Sequence, residues 1–266
     1  LPVQGEPVIF LNKLFFVPQA PCREVWHTDS DKPVEQIAEV VDKTKTLGID
    51  KEWPAKFLIP LMELCPGMPV VLASDCVDAC RAVKDAEEQM LMKEASRIND
   101  ETILKARDYV KPGMTERQVA AELVYNMLKN GSEGNSFDPI VVTGSKTSLP
   151  HGVPGDKVIQ PGDFVTMDFG AVCGGYLADM TRTVAVGSVS EEQRHVYETV
   201  REAQKRAFDK IRPGAVCSEV DAAARKFIYQ EGYEGCFSHG LGHSVGVEVH
   251  ENPRFNEVCN DRLVPG

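Results

Sequence analysis

Residues 167–183 read MDFGAVCGGYLADMTRT. The segments on either side of the Gly-Gly pair, VTMDFGAV and GYLADMTRTVAVG, are rich in Val, Tyr, Phe and Thr, which favour strands. They are predicted to form a hairpin. A two-residue turn at Cys173-Gly174 sets Asp168 directly opposite Asp179, with Cβ atoms roughly 4.5–5.5 Å apart. A turn displaced by one residue breaks that direct pairing but leaves the acids neighbours. Two like charges at this spacing repel, so one acid is protonated or a cation lies between them. A bland reading also stands, in which one Asp caps the turn or pairs with Arg182.

Composition narrows the class. The chain has 266 residues, a net charge of -11 and 42% hydrophobic residues. A surface for nucleic acid needs concentrated Lys and Arg, so nucleic acid is not expected as a partner. No run of 18 apolar residues appears, so no membrane span is expected. The eight cysteines show no Cys-x-x-Cys spacing and are read as free thiols in a reducing cytoplasm.

Two regions separate. Residues 1–82 carry short apolar runs (PVIFL, LFFVP, PVVLAS) and one helical pattern, VEQIAEVVDKTKTLG, which together suggest a small α/β unit. The opening LPVQGEPVIFL reads as a strand already under way, so this unit is expected to be partial. A long amphipathic helix is predicted from RAVKDAEE to its stop at Lys111-Pro112-Gly113. Residues 83–266 contain a repeat. VKPGMTERQVAAELVYNMLKNGSEG (110–134) aligns without a gap on IRPGAVCSEVDAAARKFIYQEGYEG (211–235), with seven identities at an offset of 101. The prediction is two α+β halves, each with two helices and a hairpin, and a site between them.

The histidines point to the same place. His239, His243 and His250 lie in the Gly-rich SHGLGHSVGVEVHENP of the second half, and His151 lies in SLPHGVP of the first. His27 and His195 stand apart as surface residues. A metal between the halves would take carboxylate oxygens from one and an imidazole from the other.

The motif D168-F-G…G-Y…D179-x-T-R-T, with GLGH243-x-V-G-x-E-V-H250-E, resembles the pita-bread metallopeptidase family. That family includes methionine aminopeptidase, aminopeptidase P, Xaa-Pro dipeptidase (prolidase) and creatinase. SFDPIVVTGSKTSLPHG and a preceding α/β region are similar to its proline-specific branch. The resemblance implies an α+β fold: a duplicated pita-bread catalytic domain preceded by a partial creatinase-type α/β N-terminal domain. It implies a metal-dependent exopeptidase acting on Xaa-Pro bonds in small peptides with proline second, as a homodimer. It also implies roles. Asp168, Asp179 and His243 would be metal ligands, His250 and His151 catalytic residues, and His239 a substrate-binding residue. Two divalent ions are implied, usually manganese, with cobalt or zinc as alternatives. They would activate water and stabilise charge in the transition state.

The sequence departs from the family in two respects, mildly at Gly242-His243-Ser244, where the family has Gly-His-Gly, and more deeply in its ligand set. Two further glutamate ligands are not found, and in the repeat frame they fall beyond Gly266, so the catalytic domain is expected to be C-terminally incomplete and the chain inactive or metal-poor. Glu248 and Glu251 match non-ligand positions. The competing readings are a creatinase-like amidinohydrolase, which dispenses with metal, and a non-catalytic binding protein on the same scaffold.

Overall fold

The computed structural model describes residues 1–2, 5–17 and 19–266. The chain forms two compact units, Leu1–Val77 and Asp78–Gly266.

In the first unit, β1 (Val8–Asn12) pairs in parallel with β2 (Arg23–His27). Helix α1 (Pro33–Val40) then leads to β3 (Leu47–Ile49), α2 (Ala55–Leu64) and β4 (Val70–Leu72), with β3 and β4 also parallel. The two helices close over Ala38, Leu61, Cys65 and Met68. The unit is α/β, as its mixed apolar runs suggest. Its first strand begins only at Val8, and Val3 and Gln4 lie outside the described residues. The run LFFVP forms no strand where it is described, and Pro18 lies outside the described residues. Helix α3 (Ser74–Ala82) runs across the boundary.

The second unit shows the duplication directly. Its helices are α4 (Ala86–Tyr109), α5 (Glu116–Lys129), α6 (Glu191–Phe208) and α7 (Cys217–Gln230). The helix expected from Arg81 starts later, because Asp85 caps the N-terminus of α4 by accepting from the Glu87 and Glu88 amides. Helices α5 and α7 coincide end for end at the repeat offset. Each is also held by a matching set of backbone bonds to a later extended segment. The Gly113 and Ile159 amides donate to Ile159 and Met114; the Gly214 and Leu263 amides donate to Leu263 and Ala215. One step on, Glu116 and Arg117 bond Lys157 and Gly155, while Cys217 and Ser218 bond Asp261 and Cys259.

In the first half, β5 (Ile140–Thr143), β6 (Phe164–Phe169) and β9 (Met180–Ala185) form an antiparallel sheet with β6 central. Strand side chains alternate between faces. Val165, Met167 and Phe169 of β6 are therefore fully buried beside Val119, Leu123 and Met127 of α5, while Thr166 and Asp168 take the other face. In the second half, α6 and α7 pack through Ala203, Ala207, Val220 and Ala224, with Leu241 and Phe255 against them. There β10 (Gly242–Ser244) pairs with β11 (Glu251–Phe255).

The hairpin is present, but its register differs from the direct pairing expected. The short arms β7 (Val172–Cys173) and β8 (Tyr176–Leu177) close on Gly174-Gly175, so the turn lies one residue further on. Asp168 consequently faces Thr181 rather than Asp179. The cause is conformational. A tight two-residue hairpin turn needs positive φ at its first central position, and at both in type I′; Gly174 and Gly175 have φ of 56° and 76°. Cys173 in that role would be strained. Glu133 fixes the tip by accepting from the amides of Gly174 (2.7 Å) and Gly175 (3.1 Å).

Gly170 is fixed by a close approach. A Cβ there would lie 1.8 Å from the Ala178 carbonyl oxygen and 1.9 Å from the Ser136 hydroxyl. Those two groups are bonded to each other at 2.8 Å. Gly170→Ala is therefore expected to destabilise the chain by about 3 kcal/mol or more, since backbone must move. Gly175→Ala meets open space and should cost only about 1–2 kcal/mol, through its backbone conformation. Urea unfolding of both variants checks the order; equal losses would contradict it.

Candidate metal centre

Asp168 reaches the site from β6 on the face opposite the core, and Asp179 from the bend just before β9. The turn register leaves them diagonal neighbours. Burial, then the nearby Asp179 carboxylate, pushes the Asp168 carboxyl up to about 6, with the Thr181 hydroxyl opposing. Its Oδ1 is buried without a hydrogen-bond partner. An orphaned carboxylate oxygen beside a second acid is a site that favours a cation.

The second half supplies the imidazoles. His243 lies on β10 opposite Arg254, where the register slips between His243 and Ser244. Its Nδ1 is 3.1 Å from the Ser244 carbonyl oxygen. A carbonyl only accepts, so Nδ1 carries a proton and Nε2 is the nitrogen left to face the site. That Nε2 is 3.6 Å from Asp179 Oδ2. A ring fixed in this way by a carbonyl is how ligating histidines are commonly oriented. His250 packs edge-on to His243, ring centroids 4.4 Å apart. Burial, then the neighbouring His243 and Arg254, holds the His250 imidazole below its ordinary range.

The structure thus brings Asp168, Asp179, His243 and His250 into one run of pairwise contacts. It does not bring them into a finished cage. Among the described residues no three His, Cys, Asp or Glu side chains converge as a metal-holding group. His151 is exposed on the loop after β5, near enough to His250 for their charges to interact. His239 is exposed, with Nδ1 2.8 Å from the Gly240 carbonyl and its ring edge-on to Phe237. The donor types present, two carboxylates and one imidazole presenting Nε2, fit a divalent ion of the manganese, cobalt or zinc kind.

Three buried charged residues around these groups, Glu116, Asp221 and Arg225, escaped sequence reasoning. Glu116, fully buried in the first turn of α5, accepts from the Thr143 and Gly155 amides (2.9 and 3.0 Å) and from Lys146. It thereby holds both ends of the loop that carries His151. Asp221 and Arg225 pair inside α7. Glu251, expected at a non-ligand position, accepts from Lys84 Nζ (2.9 Å), Arg81 and the Glu248 amide (3.1 Å). In a sequence, an acid in a first helical turn looks like an ordinary solvated cap; only burial distinguishes it. The two halves also meet in the backbone, where the Leu177 amide donates to the Gly246 carbonyl at 2.8 Å.

With this geometry in view, the comparisons decide the family. The sequence profile of metallopeptidase family M24 matches residues 90–266. The chain belongs to that family. It is 39% identical over 235 residues to the Xaa-Pro dipeptidase of Pyrococcus furiosus, covering 88% of this chain and 68% of that protein. The solved prolidase from Pyrococcus furiosus superposes with a TM-score of 0.90 at 35% identity, covering 97% of this chain and 76% of that one. The X-Pro aminopeptidase from Thermotoga maritima gives 0.78 at 35% identity, covering 91% and 69%. The mixed helix-and-strand architecture is accordingly that of the pita-bread fold. Among the described residues no helix is long and apolar enough to cross a membrane.

Glu251 gives a test of how the site's second half is held. Burial pushes its carboxyl up, but the bonds from Lys84, Arg81 and the Glu248 amide outweigh this and leave it below the usual range. A carboxyl depressed on folding contributes stability above its unfolded pKa, and that contribution is lost as pH falls through the folded value. Glu251→Gln leaves two cations short of a partner and is expected to cost about 3–5 kcal/mol at pH 7. The gap from wild type should narrow on acidification below pH ~4. Thermal melts at pH 7 and pH 3.5 measure it; a gap that stays constant or widens contradicts the assignment.

Proposed function

We propose that the chain is a metal-dependent exopeptidase that hydrolyses Xaa-Pro bonds, of the dipeptidase or aminopeptidase P type. The observation that supports this most is the contact run from the orphaned Asp168 carboxylate through Asp179 to His243 Nε2. In this reading Asp168, Asp179 and His243 hold two divalent ions, manganese first, with cobalt or zinc as alternatives. When bound, such ions activate water and polarise the scissile carbonyl. The remaining steps belong to side chains. His250, held beside His243, donates a hydrogen bond to the carbonyl oxygen as charge develops there. His151 and His239, both exposed on their loops, orient a short peptide with proline second. Residues 1–82 serve as the creatinase-type N-terminal region and 83–266 as the catalytic domain. The chain works as a homodimer in a reducing cytoplasm, a compartment that suits the buried thiols of Cys65 and Cys217.

Three ligands are a thin set for two ions. We infer that these three side chains by themselves hold metal weakly. Ala-Pro and Ala-Pro-Ala hydrolysis, with and without manganese, tests the peptidase reading. Turnover should require metal and be lost on treatment with a chelator. Metal-independent turnover would overturn the reading.

The like-charge argument makes a separate prediction. Asp168→Asn removes repulsion from the metal-free protein, so its melting temperature should rise above wild type. Manganese should then raise the melting temperature of wild type but not of the variant. A metal-free variant less stable than wild type would contradict the electrostatic account.

A further inference from the structure

The segment Glu231–Leu241, which leads into β10 and His243, has no regular secondary structure. Its backbone is held by a buried ion pair on α7. Asp221 and Arg225, one helical turn apart, form two bonds: Nε to Oδ2 at 2.7 Å and one terminal nitrogen to Oδ1 at 2.9 Å. Asp221 is fully buried and Arg225 nearly so. The pair does not end with itself. Arg225 donates to the Phe237 and His239 carbonyls, each at 2.8 Å. Asp221 Oδ1 accepts from the Leu241 amide at 3.0 Å. The guanidinium lies 4.4 Å from the Phe237 ring centre, and that ring packs edge-on to His239 at 4.8 Å. Exposed Glu257 approaches the same guanidinium at 3.7 Å. Alternate backbone groups from 237 to 241 thus converge on one ion pair.

The duplication shows that the helix does not need this pair in order to pack. At the offset of 101, the α5 positions matching Asp221 and Arg225 are Ala120 and Val124. In the first half the matching segment is tied down by backbone instead. The Glu133 amide donates to Val172 and the Ser136 amide to Gly170. A buried ion pair contributes little net stability against apolar residues of suitable shape. Its presence in one half alone, with three bonds from the pair to the backbone of the histidine segment, points to a different task.

We propose that Asp221 and Arg225 are positioning residues: through the backbone of 237–241 they set the ring of His239 and the strand start that presents His243. This rests on the reading of His239 and His243 as site residues. Arg225→Lys keeps a charge but cannot serve Asp221 and two carbonyls with the same fork. The double variant D221A/R225V installs the residues of the first half, leaves no unpaired charge, and is expected to fold.

The test uses the full 266-residue chain with ¹⁵N-labelled histidine. In wild type, the ring nitrogens of His239 and His243 should show the fixed Nδ1–H tautomer. In D221A/R225V and R225K, both rings should average toward the free-histidine pattern, while His27 and His195 keep their wild-type signals. Cobalt(II) titration, followed by visible absorption, should show affinity weakened by about 10–100-fold. A folded D221A/R225V that keeps both rings in the fixed tautomer and binds cobalt as wild type does would overturn the proposal. Averaged rings in a protein whose wild type binds no cobalt would support the positioning role while refuting the metal reading.

Discussion

The turn at Gly174-Gly175 governs the candidate site. Both residues take positive φ, so the hairpin can close there and not one residue earlier. That closure sets Asp168 against Thr181 and leaves Asp179 on the bend before β9. The acids become diagonal neighbours, so that burial and then the Asp179 charge raise the Asp168 carboxyl, and one of its oxygens is left orphaned. Gly170 then permits the Ala178 carbonyl to come against the strand, which keeps Asp179 close. The Leu177 amide, from the same hairpin, reaches across to Gly246 and brings the second half's imidazoles within range.

Duplication supplies the frame around this hairpin. Helices α5 and α7, with their matching backbone bonds to later extended segments, are the same device used twice. The halves diverge in what holds their loops. The first uses Glu116, with Lys146, to grip both ends of the His151 loop. The second uses Asp221 with Arg225 for the segment before His243, and Glu251 with Arg81 and Lys84 for the segment around His250. In each case a buried charge is satisfied by backbone groups of a loop. That arrangement fixes a loop more firmly than apolar packing, because leaving any member unpaired is costly.

Much of this was open to sequence reasoning, for identifiable reasons. Strand-forming residues around Gly-Gly announced the hairpin, and an ungapped offset announced the duplication, because local propensity and periodicity are properties of neighbouring residues. The acids and the histidine cluster carried a family resemblance for the same reason: the motifs are contiguous. The register went one residue astray because β-rich flanks tolerate either turn, and the deciding quantity was φ at Cys173.

What the sequence by itself determined, then, was the set of elements and the kinds of donor available. Tertiary structure alone decided which oxygen is orphaned, which nitrogen of His243 faces Asp179, and that Glu116, Asp221 and Glu251 are buried. Those facts depend on contacts between residues as far apart as Lys84 and Glu251, and burial is a property of the packed chain and not of any stretch within it.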